Sequence, residues 1–191
     1  MSTTPRRTRS DALQNRERLL EVAARVFAEQ GPAATPAAIA QQAGVGVGTL
    51  YRHFPTREAL LVAAHGRQIA LVCEKADDLT ARYTAAEATR AWLEHFLDHA
   101  MANTNMCAAL NAALASEADP YAHAHTLLTG AVTTLLDAGA RDGSLRADIT
   151  PADALLLVGS VASAAQHGSR ERVSRLIDLL MDALTTAASL T

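Results

Sequence analysis

Thr35, Thr49, Tyr51, Arg52, His53 and Arg57 bring hydroxyl, imidazole and guanidinium groups into one short stretch of an alanine- and leucine-rich chain. Such groups donate to phosphate oxygens and to the edges of bases. Val47 and Gly48 stand among them, and the Val47 methyls suit the methyl of a thymine. The chemistry this set offers is recognition of a duplex, not bond making.

The other polar clusters offer less. His95 and His99 lie four apart and could share a metal from one helix face, but no carboxylate or cysteine completes a site, and no metal or other cofactor is expected. His123 and His125 are two apart, so on a helix they diverge. Cys73 and Cys107 show no metal-type spacing, no disulfide framework and no sign of a lowered pKa, which points to a reducing compartment. The chain has no glycine-rich phosphate loop, nucleophile elbow or metal motif. An enzyme is therefore not expected; a small helical enzyme built on His95 and His99 is the least favoured reading.

Presenting the stretch around Thr49 to a groove requires two short helices held at a steep angle. The punctuation predicts them. Leu19, Ala23, Val26 and Phe27 form a helical stripe over 11–30, which Gly31-Pro32 ends. Thr35 and Pro36 suit the N-cap and first position of a short helix whose inward face is Ile39, Ala40 and Ala43. Gly44 follows, where a left-handed residue is expected. A second short helix is predicted over Val47 to His53, ended by Phe54-Pro55. Ile39, Ala43, Val45, Leu50 and Phe54 would share a small core, with the Tyr51 ring packed inward and its hydroxyl left for a phosphate.

The signal stays helical beyond this point. Thr56 should cap a segment running to Thr80, either unbroken or kinked near Gly66. Further helices are predicted over 85–102, 106–115, from Asp119-Pro120 to 140, and over 151–166 behind a Thr150 cap. A last one is capped by Ser169. Strand alternation is lacking, so the expectation is an all-α fold of about nine helices.

Charge divides the chain. Residues 1–57 carry eight arginines against four acidic residues, whereas the remainder carries nine basic against sixteen acidic residues. A basic head on an acidic body suits a DNA-binding module joined to something that does not touch DNA. The expected organisation is a disordered basic arm over 1–10, a helix-turn-helix domain over 11–56 and a helical body over 57–191. Arg6, Arg7 and Arg9 of the arm either reach neighbouring phosphates or only solubilise it. Neither an apolar signal core nor a run of about 20 apolar residues occurs, so a cytoplasmic location is expected.

These residues, taken with Leu19-Leu20, Ala23, Phe27, Gly31, Thr35, Ile39-Ala40, Ala43-Gly44-Val45 and Gly48 through Leu61, resemble the TetR family of bacterial repressors across the first third of the chain. The later part is similar in helical plan and in its Gly143–Asp153 linker to the SbtR-like C-terminal group. The resemblance implies that Thr35 contacts a phosphate, that Gly46, Val47 and Thr49 lead the recognition helix, and that Tyr51 and His53 meet the backbone. It implies a phosphate contact for Arg57, where the family usually has lysine. Gly46 and Val47 depart from the usual serine and basic residue, removing a cap hydroxyl and a charge, and Pro36 lacks an N–H. The implied function is a homodimeric repressor released from a palindromic operator by a small-molecule effector. A helical adaptor that has lost DNA binding is the alternative.

In the body, Trp92, His95, Phe96 and His99 could face Met106, Leu110, Tyr121, His125, Leu128 and Val132 across an effector cavity, or simply be core and partnered surface residues. The helix over 153–166 is apolar over a wide arc, and the next carries an unbroken stripe. Leu155, Val158, Gly159, Ala162, Val173, Ile177, Leu180, Met181 and Leu184 are therefore expected either in a dimer interface of four helices or covered within one subunit.

Overall fold

Capping residues set most helix ends in this chain. A computed structural model describes residues 9–113, 121–166 and 168–185, and among them finds nine α-helices and one 3-10 turn. They are α1 (Arg9–Gln30), the 3-10 turn Gly31–Ala33, α2 (Pro36–Gln42), α3 (Val47–His53), α4 (Arg57–Thr80) and α5 (Ala85–Ala102). Then follow α6 (Thr104–Ala113), α7 (Ala122–Asp142), α8 (Pro151–Ala165) and α9 (Arg170–Leu184). Thr35, Thr84, Thr150 and Ser169 each accept a backbone N–H of the first turn that follows. Thr56 does the same for Ala59 N at 3.0 Å. Each such cap is worth about 1 kcal/mol.

The all-α expectation holds: the described residues contain no strand, only an isolated bridge between Leu145 and Thr185. Two boundaries differ from expectation, those of α1 and α6, and α4 takes the unbroken one of its two expected forms. α1 starts at Arg9, and residues 1–8 of the expected basic arm lie outside the described residues. α4 runs unbroken through Gly66, because one glycine costs a helix only about 1 kcal/mol. α6 starts two residues early, and the expected Asp119-Pro120 punctuation lies outside the described residues.

The chain divides into two compact units. The first takes residues up to 67 together with 105–120. Within it α1 packs on α2 and α2 on α3. Leu19, Val26, Phe27, Ile39, Ala43, Leu50, Leu60 and Leu61 are fully buried. α6 joins this unit through Asn105, whose side-chain amide donates to Ala28 O at 2.9 Å at the end of α1. Gly31, at φ +56°, makes room there: a Cβ on it would stand 3.1 Å from the Asn105 carbonyl oxygen.

The second unit takes residues 68–104 and 121–191. α5 packs against α7, α8 and α9, and α8 against α7 and α9. Their shared core includes Val72, Trp92, Leu93, Leu135, Leu155, Val158, Ile177 and Leu184. The connection after α7 is tight. Gly143 takes a left-handed φ of +76°. The Asp142 carboxylate accepts Ser144 Oγ at 2.6 Å, Ser144 N at 2.9 Å and Ala85 N at 3.0 Å. Leu145 is then pressed onto Gly139, where a Cβ would meet Leu145 Cγ at 2.3 Å.

Candidate nucleic-acid interface

Between α2 and α3 the chain makes a turn that only a few residue types allow. Gly44 sits at φ +66°, with Gly44 N donating to Gln41 O at 3.1 Å and Val45 N to Ala40 O at 3.0 Å. This paired arrangement satisfies the last carbonyls of α2 and needs a left-handed residue. Phe54 closes α3, with Phe54 N donating to Leu50 O at 2.9 Å.

The turn leaves α3 with two unlike faces. Leu50 and Phe54 are buried, while Val47 is 41% and Tyr51 44% exposed. Gly46, Gly48 and Arg52 are exposed too, and Thr49 and His53 are half-buried. Tyr51 therefore turns more of its ring outward than the sequence suggests, and Val45 is half-buried. Gly46 caps α3 with backbone alone. A Cβ on Gly46 or Gly48 would meet nothing within 4 Å, so this surface is open to a close-fitting partner.

Thr35 is exposed at the start of α2, its hydroxyl accepting Ala38 N at 3.2 Å. Arg57, for which a phosphate contact is implied, reaches back onto its own chain. Its Nε donates to Ala34 O at 3.0 Å and its Nη2 to Pro32 O at 3.0 Å. The same guanidinium lies over the Phe27 ring, 5.3 Å from the centroid.

Two basic residues not singled out from the sequence also border this region. The Arg16 guanidinium stands 5.2 Å over the Phe54 ring, and Arg18 reaches the α2–α3 turn beside Gly44. Their positive charge was visible in the sequence, but not which turn of the chain they would meet.

The residues expected around an effector separate. Met106 and Leu110 are buried in the first unit. In the second, Trp92 is fully buried, donates its indole N–H to Val72 O at 3.1 Å and stacks on Phe96 at 5.5 Å. Phe96, His125 and Leu128 come together at an open cavity of about 920 Å³, with Asp153, Leu155, Leu156, Gly159, Ser160 and Ser163 of α8 on its other side. Tyr121 is the N-cap residue of α7.

His99 keeps its Nδ1 3.2 Å from the Asn103 amide, and burial holds its pKa below the usual 6.5. Burial, then the Lys75 charge, lowers His95 as well. Both rings are thus neutral at physiological pH. Among the described residues no three His, Cys, Asp or Glu side chains gather to hold a metal. Burial pushes the Cys73 thiol up to about 11 and raises Cys107, so neither is a ready thiolate.

Of the residues expected either in a dimer interface or covered within one subunit, Leu155, Val158, Ala162, Val173, Ile177, Leu180, Met181 and Leu184 are buried in the core of their own unit. Side chains covered by their own chain have little area left for a partner. Gly159 is exposed, and the exposed large apolar residues of these helices are Leu156 (71%), Leu157 (44%) and Leu179 (64%). No helix among the described residues is long and apolar enough to cross a membrane.

Comparison with known proteins places these features. Residues 19–64 match the family described as bacterial regulatory proteins, tetR family, and residues 84–186 match the SbtR-like transcriptional regulator C-terminal domain. The fold is similar to that of the TetR transcriptional regulator SCO0520 from Streptomyces coelicolor, at 42% identity and a TM-score of 0.74 over 90% of this chain and 99% of that one. A TetR regulatory protein from Mycobacterium vanbaalenii is 31% identical, with a TM-score of 0.71 over 93% of this chain and 99% of that one. The repressor KstR of Mycolicibacterium smegmatis is 38% identical over 65 residues, 34% of this chain and 32% of KstR. A Staphylococcus aureus regulator, SAR2658, is 32% identical over 48% of this chain. The chain spans 32% and 52% of the lengths of these last two.

Proposed function

Given that this chain belongs to the TetR family of DNA-binding transcriptional regulators, we propose that it is a homodimeric repressor that enters the major groove with α3. The observation that carries this reading is the two-faced α3. The Gly44 turn buries Leu50 and Phe54 and leaves Val47, Gly48, Thr49, Tyr51 and Arg52 outward as one surface. Val47 and Thr49 would read bases, while Thr35, Tyr51 and His53 would hold phosphates. One such module discriminates weakly. Two copies, with α3 helices about 34–36 Å apart, fit successive major grooves of a palindrome.

The dimer would form on the outer faces of α8 and α9, through Leu156, Leu157, Gly159 and Leu179. The effector would bind at the cavity lined by Phe96, His125 and Leu128. Its mainly apolar lining, which also holds the His125 imidazole, the Asp153 carboxylate and the Ser160 and Ser163 hydroxyls, suits an apolar molecule bearing a hydrogen-bonding group. Such a molecule releases the operator only by the difference in its affinity for two settings of the dimer.

Selection of bound duplexes from a random pool tests the reading. Enrichment of a palindrome, with binding that weakens steeply with salt, supports it. No enrichment would instead favour the adaptor.

A further inference from the structure

We propose that Arg57 is a positioning residue that sets the direction of α2, not a phosphate ligand; the proposal rests on the DNA-binding reading above. In the sequence Arg57 is a cation beside the recognition helix. In the fold its charge is directed at the protein's own backbone. Nε and Nη2 occupy one edge of a planar guanidinium and donate in parallel. Here they meet Ala34 O and Pro32 O, each at 3.0 Å.

These two carbonyls flank Ala33 in the connection between α1 and α2, Pro32 within the 3-10 turn and Ala34 just beyond it. Ala34 is extended, with φ −60° and ψ 127°, and the next residue, Thr35, is the N-cap of α2. Pinning residues 32–34 at two points fixes where α2 starts and which way it leaves. Because α2 is joined to α3 by the tight Gly44 turn and packs on it, the aim of α3 depends on that start. The third contact, with the face of the buried Phe27 ring, holds the guanidinium plane itself. A phosphate taken by the Nε–Nη2 edge would release both carbonyls.

Lysine separates the two roles. It keeps the charge, and so serves a phosphate, but a single ammonium cannot reproduce a planar fork on two carbonyls with a stacked face. The test uses the full chain, with R57K and R57A. Binding is measured across a salt series to a duplex selected by the wild type. Amide exchange over residues 33–39 is followed in the free protein.

Each charge-assisted hydrogen bond is worth roughly a factor of ten in an equilibrium constant. Both variants should therefore bind roughly tenfold or more weakly to every sequence. Both should keep the wild-type salt slope, and amides at 33–39 should exchange faster in both. Wild-type affinity in R57K, together with a loss of about 0.9 in slope in R57A, would identify a phosphate contact and overturn the proposal. Unchanged exchange in both variants would overturn it as well. A wild type that binds no duplex would sink the DNA-binding reading and the proposal with it. The exchange arm, which needs no DNA, would still report whether Arg57 holds residues 32–34, so the two failures can be told apart.

Discussion

Two glycines on α7 provide an internal control in which one substitution has opposite signs. Gly139 is buried, and a Cβ there would stand 2.3, 2.4 and 2.5 Å from Leu145 Cγ, Cδ1 and Cβ. Carbon atoms pack at about 3.5–4.0 Å, so each contact falls short by about an ångström or more. Rotating Leu145 cannot relieve it, because Leu145 Cβ is itself among the clashing atoms. The backbone must move, against Leu145 N→Gly139 O at 3.2 Å and Arg146 N→Leu184 O at 2.9 Å. Overpacking of this kind costs about 3 kcal/mol, and the better helix propensity of alanine returns about 1. G139A should thus lose about 2 kcal/mol, or roughly 4–8 °C in Tm for a chain of this size. Gly130 is exposed, and its added Cβ would meet nothing within 4 Å. G130A should gain about 0.5–1 kcal/mol. Urea and thermal unfolding, followed by far-ultraviolet circular dichroism at one protein concentration, read both. An L145A background, itself destabilised by about 2–5 kcal/mol, removes the Cγ and Cδ1 contacts but keeps the Cβ at 2.5 Å, so the cost of G139A should shrink there without vanishing. A G139A protein as stable as G130A, or an unchanged cost in L145A, would refute the packing argument.

The remaining predictions concern the surfaces. Thr49→Ala should change preference at particular base pairs, by roughly tenfold at the position it reads; a selection giving the wild-type motif unaltered would remove Thr49 from the base-reading set. Leu156→Arg combined with Leu179→Arg should leave a folded chain, since both leucines are exposed, but convert dimer to monomer in sedimentation. A dimer that persists would move the interface elsewhere. Asp142 accepts hydrogen bonds from Ser144 first of all, and from Ala85 N, which hold its pKa below the ordinary 3.8. The stability that the carboxylate contributes is therefore present above pH 3.8 and lost as pH falls through the lowered value. D142N should be less stable than wild type near neutrality, with the gap closing only at acid pH; a gap independent of pH would contradict this.

Local chemistry made the helix-turn-helix legible. Thr35-Pro36, Gly44 and Phe54-Pro55 each act on their own few residues, and the helices they bound were found where expected. What depends on distant partners was not legible. The stripe from Val173 to Leu184 says that a face must be covered, but periodicity does not say by which chain, and the core of the same unit covers it. Arg57 announces a charge, whereas its acceptors lie 23 and 25 residues away. Phe96, His125 and Leu128 line one open cavity, but nothing in the sequence pairs them with α8, where Leu155 and Gly159 are expected either in a dimer interface or covered within one subunit.

The first unit is discontinuous, and that bears on the order in which it can be completed. A ribosome releases the chain from its N-terminus at about 5–20 residues per second. Asn105 thus emerges roughly 4–15 s after Ala28, whose carbonyl it will occupy, and after Gly31, which makes room for it. Until then the end of α1 is capped by water. Helices α1 to α3 rest on contacts close in sequence and can form early, but their unit is finished only by a closure spanning 77 positions. A chain cut short before Asn105 would carry every residue of the DNA-reading surface and still lack a piece of the structure that holds it.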